Sequence, residues 1–115
     1  MSDASELDAV VDLLDDEYAR AILRATSVQA LSAEELSEQC DMSPPTVYRR
    51  LDRLREHDLV AAQQQLDPDG HHYEVYTACL SRVTIDLDDG DFDLDVERTD
   101  QDAADRFTDL FETLQ

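Results

Sequence analysis

Apolar residues near the start of the chain recur at the spacing of two amphipathic helices. The first helix carries one stripe of residues three and four positions apart, Leu7, Val10, Val11 and Leu14. Asp15 or Asp16 can begin a second helix, because an aspartate carboxylate accepts hydrogen bonds from the free amides of a first helical turn. Ile22 and Leu23 lie on one side of that second helix, with Tyr18 one turn earlier. The chain therefore opens with two helices.

Two further helices follow, joined by a tight connection. Ser32 with Glu35 three positions later is a capping-box pattern, in which each side chain bonds the backbone amide of the other residue. This pattern predicts a short helix that ends near Cys40. Ser43 can cap the next helix, whose first turn accommodates the two prolines that follow it, since amides in a first turn have no helical partner. That helix should run to about His57.

Beyond this helix, alternating apolar and polar residues predict two β-hairpins. Residues 59–66 and 71–77 flank Asp67-Pro68-Asp69-Gly70, which has proline and glycine where a type I turn prefers them. A second pair of alternating runs lies on either side of Asp89-Gly90. Its apolar members are Val83, Ile85 and Leu87 before the turn and Phe92, Leu94 and Val96 after it.

A last apolar stripe lies close to the C-terminal end of the sequence. It consists of large residues at helical spacing, Phe107, Leu110, Phe111 and Leu114. A helix must bury such a stripe, and the stripe of the first helix also needs cover. We therefore expect the two terminal helices to form the interface of a homodimer.

The composition describes one very acidic folded domain. The 115 residues include 29 Asp and Glu against 9 basic residues, which gives a net charge of −20 with 42% hydrophobic residues. All the basic residues are arginine, and lysine is absent. A carboxylate surface of this kind is typical of proteins from salt-in halophiles, because concentrated salt screens its self-repulsion. An acidic protein that neutralises a basic partner is the alternative, but it leaves the missing lysine unexplained.

Several classes of protein are excluded by what the sequence lacks. No apolar run approaches the roughly 18 residues that span a bilayer, and the N-terminus has no signal-peptide pattern. Two cysteines, outside any Cys-x-x-Cys pair, fit a reducing cytoplasm. No catalytic constellation is recognisable, and two glycines cannot build a phosphate loop. We expect a cytoplasmic protein that is not an enzyme and needs no cofactor.

A small basic island interrupts the acidic chain. Four arginines between Ser43 and His57 face only Asp52 and Glu56, so this segment carries +2 and the rest of the chain −22. On a helical wheel most of these charges lie opposite the apolar residues Val47, Leu51 and Leu54. The arginines either contact nucleic acid or pair with the two acids of their own helix, an arrangement worth tenths of a kcal/mol. Four arginines exceed what two acids require, which favours nucleic acid.

In this order of motifs, the chain resembles the ArsR-like winged helix-turn-helix transcription regulators, and the broader set of archaeal winged-helix regulators found in halophiles. The resemblance covers residues 13–77 and lies in four segments: Leu14-Asp15-Asp16-Glu17 with Ile22-Leu23, Leu31-Ser32 through Glu35-Leu36, Ser43-x-x-Thr46-Val47-x-x-x-Leu51-x-x-Leu54, and Leu59-Val60. The family usually has glycine where this chain has Asp58, and a wing rich in Arg or Lys where this chain has Gln63-Gln64-Gln65 and His71-His72. The fold tolerates aspartate there, because aspartate enters the left-handed region more readily than most residues.

The resemblance implies which residues would meet DNA. The helix from Ser43 would lie in the major groove, so that its first half reads bases and its arginines contact phosphates. The candidate base readers are Pro45, Thr46, Tyr48 and Arg49, with Ser43 at the helix start. The candidate phosphate contacts are Arg50, Arg53 and Arg55, and the candidate wing contacts are His71 and His72.

Other readings of single motifs are weaker. His71 and His72 are neighbours on a strand, so they point to opposite faces and cannot readily share one metal ion. Cys40 occupies a slot where the family has an apolar residue, which favours a buried side chain over a thiol sensor. The acidic run 86–97 has its glycine misplaced by one residue for a calcium loop and alternates as a hairpin does. We therefore predict no metal site.

Together these observations predict an α+β protein. Residues 1–79 would form the winged helix-turn-helix core, and residues 80–115 an additional acidic β-hairpin and a terminal dimerisation helix in the same domain. The predicted function is sequence-specific regulation of transcription by a homodimer on double-stranded DNA at high salt. The competing class is a winged-helix protein-interaction module that does not bind DNA and docks a basic partner on its acidic face.

The charge itself generates a first prediction. The midpoint temperature of thermal unfolding should rise as KCl increases from dilute to molar, because a charge of −20 on a small domain repels itself until it is screened. Circular-dichroism melts across a KCl series measure this. A melting temperature independent of salt would contradict it.

Overall fold

Helices make up the first half of the described chain and strands the second half. The structure is a computed structural model that describes residues 4–99. Its elements in chain order are α1 (Ala4–Asp15), α2 (Glu17–Val28), β1 (Leu31–Ser32), α3 (Ala33–Gln39), α4 (Pro44–Glu56), β2 (Val60–Leu66), β3 (His72–Ala78), β4 (Leu80–Asp88) and β5 (Asp91–Arg98). The α+β class is confirmed, whereas the predicted C-terminal helix lies outside the described residues.

Side-chain caps set the helix boundaries where the sequence predicts them. Asp16, rather than Asp15, caps α2, and its carboxylate accepts a hydrogen bond of 3.2 Å from the Tyr18 amide. At α3 the capping box is complete: the Ser32 amide donates to Glu35 Oε1 at 3.0 Å, and the Glu35 amide donates to Ser32 Oγ at 3.1 Å. Each cap satisfies amides that the helix leaves without partners.

The first sheet is the predicted hairpin plus one short strand. Its order is β1-β3-β2, antiparallel throughout, with Leu31 opposite Tyr76 and Val60 opposite Ala78. The hairpin is confirmed, but the two-residue strand β1 was not predicted. A strand of two residues has no periodicity to detect, and only its pairing with β3 defines it.

The turns of both hairpins are closed as their sequences predict. In the first, the Asp67 carboxylate accepts hydrogen bonds from the amides of Asp69 at 2.9 Å and His71 at 2.8 Å. The Gly70 amide donates to the Asp67 carbonyl at 3.0 Å, the bond of a type I turn. In the second, Asp89 and Gly90 have φ of 52° and 86°, as the Asp-Gly pair of a type I′ turn requires.

One hydrophobic core joins the helices to the first sheet. It includes residues from every helix and from the first sheet, among them Leu13, Ile22, Leu31, Leu36, Leu51, Leu54, Leu59 and Tyr76. Val10 is also fully buried, whereas Val11 is 44% exposed and Leu7 and Leu14 are half-buried. The stripe predicted for a dimer interface is therefore divided, and Val10 belongs to the interior of the protomer.

The second hairpin, β4–β5, forms a separate two-stranded sheet that is fastened to the domain at its base. The amides of Cys79 and Leu80 donate to the Leu59 carbonyl at 2.8 and 3.2 Å. Arg98, at the end of β5, donates through Nη2 to the His57 carbonyl at 2.8 Å and lies 3.7 Å from Glu6. From this base the hairpin continues outward as far as its turn at Asp89 and Gly90.

An ion pair joins the start of α2 to α4. Arg50 Nε donates to Asp16 Oδ2, and the Arg50 guanidinium lies 5.7 Å from the centre of the Tyr18 ring. Burial by itself raises the pKa of the Asp16 carboxyl, but hydrogen bonds from Arg50 and Tyr18 and the charge of Arg50 hold that pKa below its ordinary value. Asp16 thus serves both as a helix cap and as an anchor for α4.

Replacing Asp16 should show both roles. Asp16→Ala is expected to lower the free energy of unfolding by about 1–2 kcal/mol, because it removes the N-cap of α2 and the partner of Arg50. Asp16→Asn should recover much of this loss, since asparagine also caps helices. Urea unfolding at constant molar KCl measures both, with exposed Asp15→Ala as the control.

The pH dependence has a definite sign. Because the folded pKa of Asp16 is lowered, its charge stabilises the fold above the pKa of the unfolded state, and this contribution disappears as pH falls through the folded pKa. The difference in stability between the wild type and Asp16→Asn should therefore shrink toward acid pH. A difference that persists unchanged at low pH would contradict the ion-pair role.

Candidate nucleic-acid interface

A tight turn at Asp41 and Met42 fixes the orientation of α4 relative to α3. Asp41, just after α3, has φ of 54°, a left-handed conformation that reverses the chain within four residues. Met42 is buried, its amide donates to the Ser37 carbonyl at 3.1 Å, and the Ser37 hydroxyl donates to the Met42 carbonyl. Because the turn is bonded back to α3 and buried at Met42, it determines the direction in which α4 leaves.

The first turn of α4 is organised by Ser43. Its hydroxyl oxygen accepts from the Thr46 amide at 3.4 Å and the hydroxyl donates to Thr46 Oγ1 at 2.9 Å. Pro44 and Pro45 occupy the first two helical positions, where a missing amide costs little. Ser43 is therefore a cap, and the exposed residues of α4 begin with Pro44 and Pro45.

One face of α4 is inserted into the core and the opposite face is open. Val47, Leu51 and Leu54 are at most 1% exposed. Tyr48 and Arg49 are exposed and Thr46 is half-buried, all in the first half of the helix. The structure thus brings the predicted base readers together on a surface that a duplex can reach.

The end of α4 leads directly into the β2–β3 hairpin, which is the wing of this fold. Asp58 has φ of 56°, which confirms that aspartate occupies a left-handed position where glycine was expected from the resemblance. The Leu59 amide then donates to the Leu54 carbonyl at 2.9 Å, and β2 starts at Val60. This short exit places the β2–β3 hairpin beside α4.

An open cleft of about 660 Å³ lies between α3, α4 and the wing. His71, His72 and Tyr73 line it from the wing and Tyr48 from α4. Four acids also line it: Glu34, Glu35, Asp67 and Glu74. The wing contains no arginine or lysine, so this cleft repels phosphate unless cations or concentrated salt screen it.

A buried tyrosine forms part of that cleft. The Tyr76 hydroxyl donates to Glu74 Oε2 at 2.9 Å, and burial, with the Glu74 carboxylate, raises the pKa of Tyr76 to about 12. Tyr76 is therefore a neutral donor under any physiological condition. It keeps Glu74 oriented at the cleft, and neither residue was singled out from sequence.

Two of the four arginines of α4 are bound to acids of the first two helices. Arg50 is held by Asp16, as described above, and Arg53 Nη2 lies 3.2 Å from Asp12 Oδ2. The sequence suggested Asp52 and Glu56 as structural partners, but within residues 4–99 no ion pair forms inside α4. The partners Asp12 and Asp16 are 41 and 34 residues away, and no local spacing could have indicated them.

This pairing changes the charge of the outer surface. Arg49 and Arg55 are exposed and make no ion pair in the part of the chain that the structure describes. They share the exposed side of α4 with Asp52 and Glu56. The basic island expected on α4 is therefore close to neutral at its outer surface, and Arg49 and Arg55 are the cations there.

Two further groups could carry chemistry, a cluster in the wing turn and Cys40. Ligand atoms of Asp67, Asp69 and His71 lie within 4.8 Å of one another, as a metal site requires, but the Asp67 carboxylate already closes the wing turn. His72 is not part of this group. Cys40 is half-buried against the core, and burial raises the pKa of its thiol, which opposes the thiolate form that a sensor uses.

Comparisons with known proteins agree with this geometry. Residues 14–62 match the family model of a helix-turn-helix domain, from the end of α1 to the start of β2. The fold is similar to that of reduced HlyU from Vibrio cholerae, with 21% sequence identity and a TM-score of 0.54 over 65% of this chain and 74% of that chain. No curated protein matches the sequence significantly. No helix within residues 4–99 is long and apolar enough to cross a membrane.

The fold and the turn together define the class. A bonded turn between two helices, a second helix with an open face, and an adjoining hairpin make this a winged helix-turn-helix protein.

The left-handed residue at the end of α4 provides a direct test of this geometry. Asp58→Gly should raise the free energy of unfolding by about 0.5–1 kcal/mol, since glycine adopts a positive φ without the penalty of a side chain. Asp52→Gly is the matched control, because the same change inside the helix should destabilise by about 0.5–1 kcal/mol. Urea unfolding in molar KCl would contradict the prediction if the two variants changed stability in the same direction.

Proposed function

We propose that this protein is a sequence-specific, DNA-binding regulator of transcription with no catalytic step. The observation that carries the proposal is the open first half of α4, where Pro45, Tyr48 and Arg49 face outward from a rigid helix-turn-helix. A helix presented in this way fits the major groove of B-DNA. Regulation would follow from occlusion of a promoter or recruitment to it.

Arg49 is the proposed reader of sequence. Its guanidinium is exposed and without an ion-pair partner in the described chain, so it can donate two parallel hydrogen bonds to a guanine. Pro45 and Tyr48 supply apolar contacts beside it, and Thr46 and Ser43 lie at the helix start. The wing residues His71 and His72 are exposed and would contact the backbone or the adjacent groove.

The other arginines divide between binding and support. Arg55 is exposed and is the proposed phosphate contact. Arg50 and Arg53 support the interface by fastening α4 to Asp16 and Asp12. Either arginine could bind a phosphate only after releasing its carboxylate partner. Removing Arg53 should therefore affect stability more than base recognition.

The charge distribution indicates the conditions of binding. The cleft beside α4 is acidic and the chain carries −20, so DNA and protein repel each other in dilute buffer. At about 1 M salt the Debye length falls to about 3 Å, and shape and hydrogen bonding then decide binding. With arginine as the one basic residue type, the surface fits a protein of the haloarchaeal cytoplasm.

We further propose that the regulator acts as a homodimer. The exposed Val11, beside half-buried Leu7, is an apolar surface on α1 that a second copy can cover together with the C-terminal stripe, whereas Leu14 packs against the core of its own protomer. Val10 is excluded from this surface by its burial. A two-fold pair presents two copies of α4 to successive major grooves and multiplies the weak contact of one acidic protomer.

The test is a comparison of two arginine variants on a selected DNA site. A duplex enriched from random sequence by the full-length protein in molar KCl is titrated with wild type, Arg49→Ala and Arg53→Ala. Arg49→Ala should weaken specific binding by about 1–3 kcal/mol and leave the fold intact. Arg53→Ala, the matched control on the same helix, should bind nearly as the wild type.

Two results would count against the proposal. Equal affinity of wild type and Arg49→Ala for the selected site would remove Arg49 as reader. If the wild type shows no sequence preference at all in molar KCl, the winged helix is instead an interaction module whose acidic face docks a basic protein.

A further inference from the structure

Three residues, 57–59, separate α4 from the first strand of the wing, and we call them the joint. The backbone there forms a Schellman motif. The Leu59 amide donates to the Leu54 carbonyl at 2.9 Å, and the Asp58 amide donates to the Arg55 carbonyl at 3.0 Å. Such a motif satisfies carbonyls inside the helix and leaves those of the following residues for other donors.

The donors for the carbonyls of the joint come from the second hairpin, β4–β5. Arg98, the last residue of β5, donates from Nε to the carbonyls of His57 and Asp58, both at 3.2 Å, and from Nη2 to the His57 carbonyl at 2.8 Å. The backbone amides that begin the hairpin donate to the Leu59 carbonyl, as described above. The two ends of one hairpin therefore bond all three carbonyls of the joint.

Arg98 is itself held in a defined position. Its Nη2 lies 3.7 Å from Glu6 Oε1 on α1, and Val96, two residues earlier in β5, packs against the core. A guanidinium carries its donors in one rigid plane, so it can bond two neighbouring carbonyls at once. Its positive charge also suits the C-terminal end of a helix. Arg98 thus connects α1, the end of α4 and the second hairpin.

The wing extends far beyond the joint. The core holds it at Val60 and Tyr76, whereas residues 63–66 of β2 are exposed. The seven residues of β2 span about 23 Å, so a rotation of about 5° at the joint moves the wing tip by about 2 Å. This displacement is larger than the range of donor–acceptor distances in hydrogen bonds, about 2.7–3.2 Å. The geometry of the joint therefore matters for any ligand that α4 and the wing bind together.

A direct contact between Arg98 and a phosphate is the alternative role. The Arg98 side chain is 33% exposed, and with Arg55 it lines an open cavity of about 400 Å³. A phosphate there would compete with the bonds of Arg98 to two carbonyls and with the Glu6 carboxylate. Asp58 also lines this cavity and repels an anion. The contacts of Arg98 therefore favour a role at the joint.

We propose that Arg98 is a positioning residue of the DNA interface, which fixes the angle between α4 and the wing by bonding the carbonyls of His57 and Asp58. The inference rests on the proposed function and adds a residue that acts on DNA binding through the joint. Because Arg98 lies outside residues 14–62, the helix-turn-helix segment depends on the second hairpin for the placement of its wing.

The first test compares full-length variants on two duplexes in molar KCl. One duplex is the selected site and the other is a shuffled sequence of the same composition. Arg98→Ala should lower the ratio of the two affinities about three- to tenfold, because displaced groups lose hydrogen bonds to base edges. Its affinity for the shuffled duplex should stay close to that of the wild type.

Arg82→Ala is the matched control. It removes the same charge from the same hairpin, and the Arg82 side chain is 72% exposed and pairs with Glu97 on the neighbouring strand. Its ratio of affinities should equal that of the wild type. If Arg98→Ala lacks the wild-type circular-dichroism spectrum, Arg98→Gln replaces it with the same expectation.

Hydrogen exchange of the free protein is the second test. Loss of Arg98 should accelerate exchange of the Asp58 and Leu59 amides more than exchange of the amides within α2, because the joint opens locally. A general loss of stability would accelerate both sets by the same factor. The inference requires both the lower ratio of affinities and the local exchange.

Three results would overturn the inference and leave the proposed function standing. Equal weakening on both duplexes would make Arg98 a phosphate contact. A ratio of affinities like that of the wild type would limit Arg98 to stability, and so would equal acceleration of exchange in the joint and in α2. A wild type that does not distinguish the selected duplex from the shuffled one would remove the proposed function and this inference together.

Discussion

The arrangement of this protein depends on the burial of one face of α4. Val47, Leu51 and Leu54 are inserted into the core, which determines the side of the helix that remains open. A helix has a single axis, so anchoring three residues on one side sets the direction of every other side chain on it. The bonded turn at Asp41 and Met42 and the left-handed exit at Asp58 then bring α3 and the wing to the two ends of the same helix. Displacement of α4 would disturb the turn, the wing and the candidate interface together.

The four arginines of α4 are chemically identical, but the anchoring of the helix gives them different surroundings. Arg50 and Arg53 lie toward α1 and α2 and are paired with Asp16 and Asp12, whereas Arg49 and Arg55 lie outward. The Arg50–Asp16 pair is half-buried and the Arg53–Asp12 pair is largely exposed, and such pairs position a helix more than they stabilise it. The outward surface is left nearly neutral beside an acidic cleft, so the DNA binding that we propose would depend on the shape and hydrogen-bonding groups of α4 rather than on general attraction to phosphate.

The β4–β5 hairpin is also only partly covered by the rest of the domain. Its base is part of the domain through Leu80, Val96 and the bonds of Arg98, and its outer half is not. An acidic surface in concentrated salt is well hydrated and resists nonspecific association. On this acidic background the hairpin keeps apolar side chains exposed at Ile85, Leu87 and Phe92.

Features that depend on neighbouring residues were determined by the sequence alone. The caps at Asp16, Ser32 and Ser43 and the Asp-Gly turn of the second hairpin all follow from short-range bonding between residues within a few positions. The left-handed Asp58 was instead expected from the family resemblance. The amphipathic periods of α4 and of β4–β5 likewise identified the faces that would be apolar.

Only the tertiary structure decided which of those faces are covered and which charges are neutralised. It paired β1 with β3, buried Val10 while leaving Val11 exposed, and bound Arg50 and Arg53 to acids more than 30 residues away. Hydrophobic periodicity shows that a residue prefers burial, but it does not show which element will cover that residue. Long-range contacts depend on how whole elements pack, and two arginines one turn apart on a helix have the same local sequence signal whether they meet carboxylate or solvent.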